Sequence, residues 1–334
     1  MTRVQREVLA EMDRRESIAA RAFWATVARI YGRAVVRRIE PLVEAGDADG
    51  IMRELRIDEA EFGEFVETTR AAYLSAGTTE AARLGAKQLR VTFNIRNPRA
   101  EVWLAQYSSQ LVTEIISGQR EAIRQMLASG LAQGRNPRNV ALDVVGRMSG
   151  GRRRGGVIGL TSRQSGFVSN MATELRDPNA MANYFTRARR DRRFDSIVQR
   201  AIRQGRSVSE ANINKMTARY ADRLLQYRGE VIARTEMLQS TGAARNEALY
   251  QMIDAGLPPE RATKFWRSAR DTRVRDTHED MNGQDVPSDK PFVSPSGARL
   301  MFPGDRSLGA GASEIIQCRC AHEVKIDFIG LAGG

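Results

Sequence analysis

Both cysteines and both histidines of the 334-residue chain lie between positions 278 and 322, and these residue types are frequent metal ligands. Cys318 and Cys320 are separated by one residue, so on a β-strand their side chains would share a face, and His322 would follow on that face. With His278 they could form a Cys2His2 zinc site. Their spacing departs from the usual zinc knuckle, and two thiols that pack as small apolar groups are the favoured interpretation. We therefore expect no cofactor, with zinc bound by these four residues as the alternative.

An enzymatic role for the same segment would make His278 a general base, with Asn282 and His322 completing an HNH-nuclease-like set around a divalent metal. That pattern also needs a second histidine close to the first, and the sequence has none there. The charged residues at 271–276 are instead predicted to form Asp–Arg pairs that hold a loop. We expect no catalytic residue and no enzyme, and a metal-dependent nuclease or toxin-like enzyme that uses His278 is the alternative.

The net charge of +12 is concentrated in the middle of the chain. Residues 134–200 hold 14 Arg and Lys against 5 Asp and Glu, whereas 1–133 and 201–334 are nearly balanced. Such a local excess is typical of contact with a polyanion, and the guanidinium fork suits phosphate oxygens. No base-reading motif accompanies it, so we expect non-specific binding to double-stranded DNA, with a merely solvated basic face as the alternative. The candidate contacts are Arg152, Arg153, Arg154, Arg187, Arg189, Arg190, Arg192 and Arg193.

The first of these arginine runs lies in a glycine-rich segment. Glycine pairs at 150–151 and 155–156 bracket the three arginines, and this pattern predicts a mobile loop. Backbone N–H groups of such loops can contact phosphates, but the Gly-Lys-Ser/Thr ending of a nucleotide-binding P-loop is missing. We expect contact with nucleic acid here and no binding of ATP.

The elements that must position these residues are mainly helical. Apolar residues recur at helical spacing over 3–38, where Pro41 is predicted to end the helix, and the same rhythm continues with interruptions to about residue 255. Beyond it the sequence becomes rich in turn-forming residues, and short strands are predicted near 264–267, 299–302 and 321–326. The change in character predicts a domain boundary at about 256–262.

These patterns predict a mainly α fold of long helices with a small C-terminal α+β module. We expect three domains: a helical N-terminal region at 1–120, a basic helical central body at 121–258, and the module at 259–334. A hydrophobic content of 42% and a charged content of 28% are typical of a soluble globular protein. We expect neither a signal peptide nor a membrane span, and synthesis in a reducing cytoplasm.

An ordered set of residues from position 230 onward resembles a known family. The set looks like the head morphogenesis domain of phage Mu F-like minor head proteins, and the resemblance covers about residues 125–325. Its residues are Arg234, Glu236, Trp266, Asp271, Arg275, His278, Asn282, Gly283, Phe292, Pro303, Gly304, Asp305, Cys318, Arg319 and Cys320.

The resemblance implies a minor capsid protein of a tailed phage or prophage. Such a protein would be made in the host cytoplasm and built into the virion head, with the portal protein or the major capsid protein and packaged double-stranded DNA as partners. It implies no membrane partner. A cellular protein that binds nucleic acid without sequence preference is the further alternative, and residues 1–120 match no motif.

Overall fold

The computed structural model describes residues 1–85 and 89–328, and long helices dominate it. No helix in these two ranges combines the length and the apolar character that crossing a membrane requires. The α-helices are α1 (Arg3–Arg33), α2 (Val36–Glu44), α3 (Ala48–Glu54), α4 (Gly63–Leu84), α5 (Pro98–Ala132), α6 (Pro137–Val145), α7 (Ser162–Arg176), α8 (Asp195–Arg203), α9 (Glu210–Asp254), α10 (Asp276–Asp280) and α11 (Ala312–Ile315).

Short 3-10 helices and strands complete the described elements. The 3-10 helices span Ala60–Phe62, Met181–Thr186, Arg192–Phe194 and Pro259–Arg261. The strands are β1 (Arg147–Ser149), β2 (Arg152–Arg154), β3 (Ala262–Ser268), β4 (Asp285–Pro287), β5 (Phe292–Val293), β6 (Arg299–Leu300) and β7 (Cys320–Ile326). The predicted fold class, mainly α with a small C-terminal α+β module, is confirmed.

The first helix ends earlier than its periodicity predicts. Val35 is extended, with φ −112° and ψ 104°, so the chain leaves α1 after Arg33 and enters α2. Pro41 therefore does not end a helix; it lies inside α2. A proline at that position loses one backbone hydrogen bond to the preceding turn, and the helix continues around it to Glu44.

The glycine-rich segment is a β-hairpin, and the prediction of a mobile loop there was wrong. Strands β1 and β2 pair in register from Arg147 opposite Arg154 to Ser149 opposite Arg152. Gly150 and Gly151 form the two-residue turn with φ of +58° and +76°. Positive φ at both central residues is the geometry that joins strands with the natural twist, and glycine adopts it without steric cost.

The C-terminal strands form a three-stranded antiparallel sheet in the order β4-β3-β7. Along β3 every second residue is buried, so Lys264, Trp266 and Ser268 share the face that packs against the core. Strand β7 pairs with β3 so that Cys320 lies opposite Ser268 and His322 lies opposite Trp266. The register therefore puts the second cysteine at the start of a buried strand.

The chain divides into two compact units that are each built from separated segments. The first comprises Met1–Ala22, Glu64–Ser108 and the described residues from Glu230 onward; the second comprises Phe23–Gly63 and Ser109–Gly229. Helices α1, α4, α5 and α9 have residues in both units. The three consecutive domains stay a prediction. Within the first unit, one core cluster joins Met12 and Leu238 to Trp266, Phe292, Leu300, Ile315, Cys318 and Cys320.

Candidate functional site

A histidine and two cysteines meet in the core of the first unit, and we call them the His–Cys cluster. His278 comes from α10, Cys318 from the turn after α11, and Cys320 from the first position of β7. The Nδ1 atom of His278 lies 3.3 Å from the Cys318 Sγ and 3.6 Å from the Cys320 Sγ. All three side chains are buried, both thiols are free of disulfides, and their ligand atoms lie within 4.8 Å of one another.

The other ring nitrogen of His278 is bound to a carboxylate that sequence reasoning missed. His278 Nε2 lies 2.8 Å from the Glu314 Oε2, and the Glu314 Oε1 accepts a hydrogen bond of 2.8 Å from the Ser296 hydroxyl. The Ser296 and Ser294 hydroxyls are 2.7 Å apart. In sequence Glu314 is followed by Ile315 and Ile316, but nothing there indicates that its carboxylate is buried beside His278.

The pKa values of the two thiols shift in opposite directions. Burial alone would raise the pKa of the Cys318 thiol, but hydrogen bonds from Cys320 and His278 together hold this pKa well below its usual value. The hydrogen bond to Cys318 raises the pKa of the Cys320 thiol, and burial raises it further. Burial opposes charge on His278, but Cys318 and Glu314 on either side raise its pKa. A thiol with a lowered pKa and a histidine with a raised pKa are therefore adjacent in a buried environment.

Polar contacts fix the turn that carries the first cysteine. Gln317 adopts a φ of +54°, which is strained for a residue with a side chain, and its N–H donates to the Thr235 hydroxyl of α9 at 3.1 Å. The Arg275 guanidinium donates to the Ile316 carbonyl. Within the loop, Arg273 lies 3.6 Å from the Asp271 carboxylate, as the predicted Asp–Arg pairing requires. The shorter contact to Asp271 comes from outside the loop, where Arg319 donates to it at 2.7 Å.

Trp266 covers the histidine from the sheet. Its ring meets His278 edge-on at 5.2 Å and Phe292 edge-on at 5.3 Å, and the indole is fully buried. The Asn282 side-chain oxygen accepts from the Ser268 N–H at 3.1 Å, and the Gly283 N–H donates to the Trp266 carbonyl at 2.9 Å. Asn282 and Gly283 thus hold the end of β3 against the turn that follows α10.

Residues 303–305 form a tight turn against α9. Gly304 has a φ of +87°, and a side chain there would lie 3.0 Å from Leu238. The Asp305 carboxylate accepts from the Met301 N–H and the Ser307 N–H, each at 2.8 Å. The turn after Pro303 is therefore closed by Asp305 and packed on the helix.

The two motif residues of α9 have different environments. Arg234 forms an ion pair of 2.7 Å with Glu16 of α1. Glu236 is buried, and one of its carboxylate oxygens has no hydrogen-bond partner among the residues that the structure describes. Burial raises its pKa to about 7 despite the charge of Arg306. At neutral pH this carboxyl is therefore partly protonated.

His322 does not join the cluster that the sequence assigned to it. Among the described residues, the group that could bind a metal contains His278, Cys318 and Cys320 without it. His322 is buried, and burial together with the charges of Arg245, Lys264 and Arg83 lowers its pKa well below the usual value. The nuclease-like set is also not assembled, because Asn282 binds the Ser268 backbone and both ring nitrogens of His278 have partners.

Motif residues that are distant in sequence, Trp266, His278, Cys318 and Cys320 among them, therefore meet in one buried cluster. A family model described as Phage Mu protein F like protein matches residues 192–323. Residues 192–323 are thus similar to the phage Mu protein F-like family. The match begins later than the resemblance in sequence predicts, at 192 instead of about 125. No curated protein and no solved structure matches the chain significantly.

A basic surface lies in the second unit and includes residues at the beginning of the matched range 192–323. Two grooves of about 640 and 1120 Å³ adjoin there, and we call them the basic grooves. Both grooves are lined by Arg154, Arg193, Arg219 and Asp222. Arg147 and Lys215 line the smaller groove; Arg152, Arg153 and Arg223 line the larger one.

The eight candidate arginines differ in how far their charges are available. Arg187 pairs with Glu174 at 2.6 Å and Arg190 pairs with Asp195 at 3.0 Å, and both side chains are largely buried. Arg153 is half-buried and donates to the carbonyls of Ala34 and Gly146. The exposed candidates are Arg152, Arg154, Arg189, Arg192 and Arg193.

Carboxylates and an aromatic ring hold some of the exposed arginines in place. Asp191 binds Arg193 at 2.6 Å and lies 3.6 Å from Arg223. The hydrogen bonds from Arg193 lower the pKa of Asp191 to about 2, so it stays ionised. Arg189 lies over the Tyr227 ring, with its guanidinium carbon 3.6 Å from the ring centre. The grooves therefore present cations whose positions are partly fixed.

Proposed function

We propose that the protein is a minor head morphogenesis protein of a tailed phage or prophage, built into the virion head. The family match over residues 192–323 carries the proposal, because membership of the Mu F-like family indicates a role in head morphogenesis. In the proposed role the chain associates with the portal protein or the major capsid protein. It also contacts the packaged double-stranded DNA.

The basic grooves are the proposed DNA contact. Exposed arginines at two adjoining grooves can pair with phosphates without reading bases, and such contacts position a protein on duplex DNA without sequence preference. The hairpin of β1 and β2 supports this role. Along β2 the side chains of Arg152 and Arg154 are exposed, and that of Arg153 between them is half-buried. A protein between shell and DNA needs this type of contact.

Purified virions provide the first test. The phage or induced prophage that encodes this chain should contain it in mature heads, and mass spectrometry of gradient-purified particles should detect it at far fewer copies than the major capsid protein. Deletion of its gene should lower the yield of filled heads. Absence from virions, with an unchanged yield after deletion, would contradict the proposal.

Salt-dependent DNA binding tests the grooves. The protein should bind duplexes of unrelated sequence with equal affinity. The magnitude of the slope of log affinity against log salt concentration should decrease by about 0.9 for each phosphate contact removed. We expect a reduction of about 0.9 from each of the two positions in Arg152→Gln with Arg154→Gln. The matched control is Arg21→Gln with Arg70→Gln, which removes the same charge from exposed positions outside the grooves. Equal slopes in the two variants would exclude the grooves as the contact.

The remaining alternatives give different results in the same assays. A cellular nucleic-acid-binding protein would bind DNA and be absent from virions. A nuclease would cleave DNA when a divalent metal is added, and cleavage would be lost in His278→Ala. We expect no cleavage, because the imidazole lies between two buried thiols and a buried carboxylate.

A further inference from the structure

We propose that the His–Cys cluster is a zinc site, with His278, Cys318 and Cys320 as its protein ligands. The inference is independent of the proposed role in the virion. It rests on three observations: the spacing of the three ligand atoms, their chemistry and burial, and the carboxylate behind the histidine. Each favours metal binding over two thiols that merely fill space.

The spacing of the ligand atoms fits a tetrahedral zinc ion. With Zn–S and Zn–N bonds of usual length, a tetrahedral site separates nitrogen from sulfur by about 3.6 Å and sulfur from sulfur by about 3.8 Å. The Nδ1 atom of His278 lies 3.3 and 3.6 Å from the two sulfurs, and all three atoms lie within 4.8 Å of one another. A zinc ion at their centre would need only small side-chain movements.

The donor set also selects the metal. Two thiolates and one imidazole suit zinc, whereas magnesium and calcium prefer oxygen ligands. The three donors are buried, so a bound ion would be held away from competing water and would stabilise the folded state. We assign the fourth position to a single bound water molecule, as in zinc sites with three protein ligands.

Glu314 completes the arrangement behind the histidine. Metal-binding histidines commonly donate their other ring N–H to a carboxylate, which fixes the tautomer and the ring orientation. Glu314 lies 2.8 Å from the His278 Nε2 and is itself held by the Ser296 hydroxyl. The Nδ1 lone pair then faces the two sulfurs. Thiols that only packed as apolar groups would have no need of an imidazole and a buried carboxylate beside them.

The experiment measures zinc in the full chain. Protein purified under reducing conditions without chelators should carry about one zinc per chain by elemental mass spectrometry. Cys318→Ser with Cys320→Ser should lose the metal, and Glu314→Gln should weaken zinc affinity about 10- to 100-fold. The matched control is His322→Ala, which removes a buried histidine of the same strand and should retain the zinc.

A measurement on the unaltered chain keeps the test independent of variants that fail to fold. After removal of the metal, titration with Co²⁺ should produce thiolate-to-cobalt charge-transfer absorption and the intense visible bands of a tetrahedral site, saturating at one equivalent. The proposal is overturned if the unaltered chain carries no zinc and takes up neither Zn²⁺ nor Co²⁺ on titration. It is equally overturned if bound metal persists in the double cysteine variant.

Discussion

The His–Cys cluster and the basic grooves both gather polar side chains, but they place them in opposite surroundings. In the first, His278 and the two sulfurs are buried, and each ring nitrogen of the histidine has a partner. In the second, arginines such as Arg152 and Arg154 extend into solvent beside carboxylates that hold only some of their neighbours. The cluster depends on precise positions, whereas the grooves depend on the amount of positive charge.

This difference determines how each region tolerates substitution. A buried group that loses its partner costs the folded state its full desolvation penalty, whereas an exposed charge is already hydrated. We therefore expect substitutions at the cluster to change stability and substitutions at the grooves to change DNA binding. The predictions that follow test this separation, from the largest expected effect to the smallest.

The largest effect is expected for Trp266→Ala. The indole is fully buried between His278 and Phe292, so its removal leaves a large cavity and should lower the free energy of unfolding by about 3–5 kcal/mol. Met148→Ala is the control, since Met148 is an exposed apolar residue that lines both grooves, and its loss should change stability by less than about 0.5 kcal/mol. Chemical denaturation measures both. Similar losses of unfolding free energy in the two variants would contradict the proposed difference between the cluster and the grooves.

A smaller, pH-dependent effect is expected from Glu236. Its pKa in the folded state is raised to about 7 by burial, so the folded state holds this proton at pH values where the unfolded chain has released it. Stability from this group is greatest below the ordinary pKa of a glutamate and falls as pH rises to about 7, by about 3 kcal/mol in total. Above pH 7 its contribution is constant.

The comparison of wild type with Glu236→Gln isolates this group, because all other titrating groups are shared. The difference in unfolding free energy between the two proteins should change with pH between about 4.5 and 7 and be flat above that range. Parallel curves across the whole range would show that Glu236 titrates normally and that its surroundings contain water.

The sequence identified the three residues of the His–Cys cluster, but it did not predict how they are arranged. His278, Cys318 and Cys320 stood out because cysteine and histidine are so scarce in this chain. His322 was predicted as a ligand because alternate side chains of a strand share one face. Strand β7 begins only at Cys320, so this rule does not place Cys318 on the same face as His322. A step of two residues along a strand also moves His322 about 6.6 Å from Cys320. Glu314 could not be selected from 40 acidic residues without the fold.

In the basic region the sequence predicted the presence of positive charge but not which arginines are available to a ligand. The excess between 134 and 200 predicted a basic surface, but a count does not show which guanidinium groups already have partners. Arg187 is paired with Glu174, thirteen residues earlier on α7, and only tertiary structure brings these two together. The hairpin was also missed, although two consecutive glycines with positive φ are a common turn between strands.

The smallest effects should separate two neighbouring arginines of β2. Arg153 is half-buried and donates to the Ala34 and Gly146 carbonyls, and burial lowers its pKa, whereas Arg152 is exposed. Arg153→Gln should therefore lower the free energy of unfolding by about 1 kcal/mol. Arg152→Gln should change it by less than about 0.5 kcal/mol.

DNA binding should rank the same two variants in the reverse order. Arg152→Gln should reduce the salt slope by about 0.9, because its exposed charge is available to a phosphate. Arg153→Gln should leave the slope nearly unchanged, since its guanidinium is already bound to backbone carbonyls of its own unit. The two substitutions remove the same charge from adjacent positions, so overall electrostatics cannot explain a difference between them. If both variants lose equal slope, the position of the charge is irrelevant and the grooves act only through their total charge.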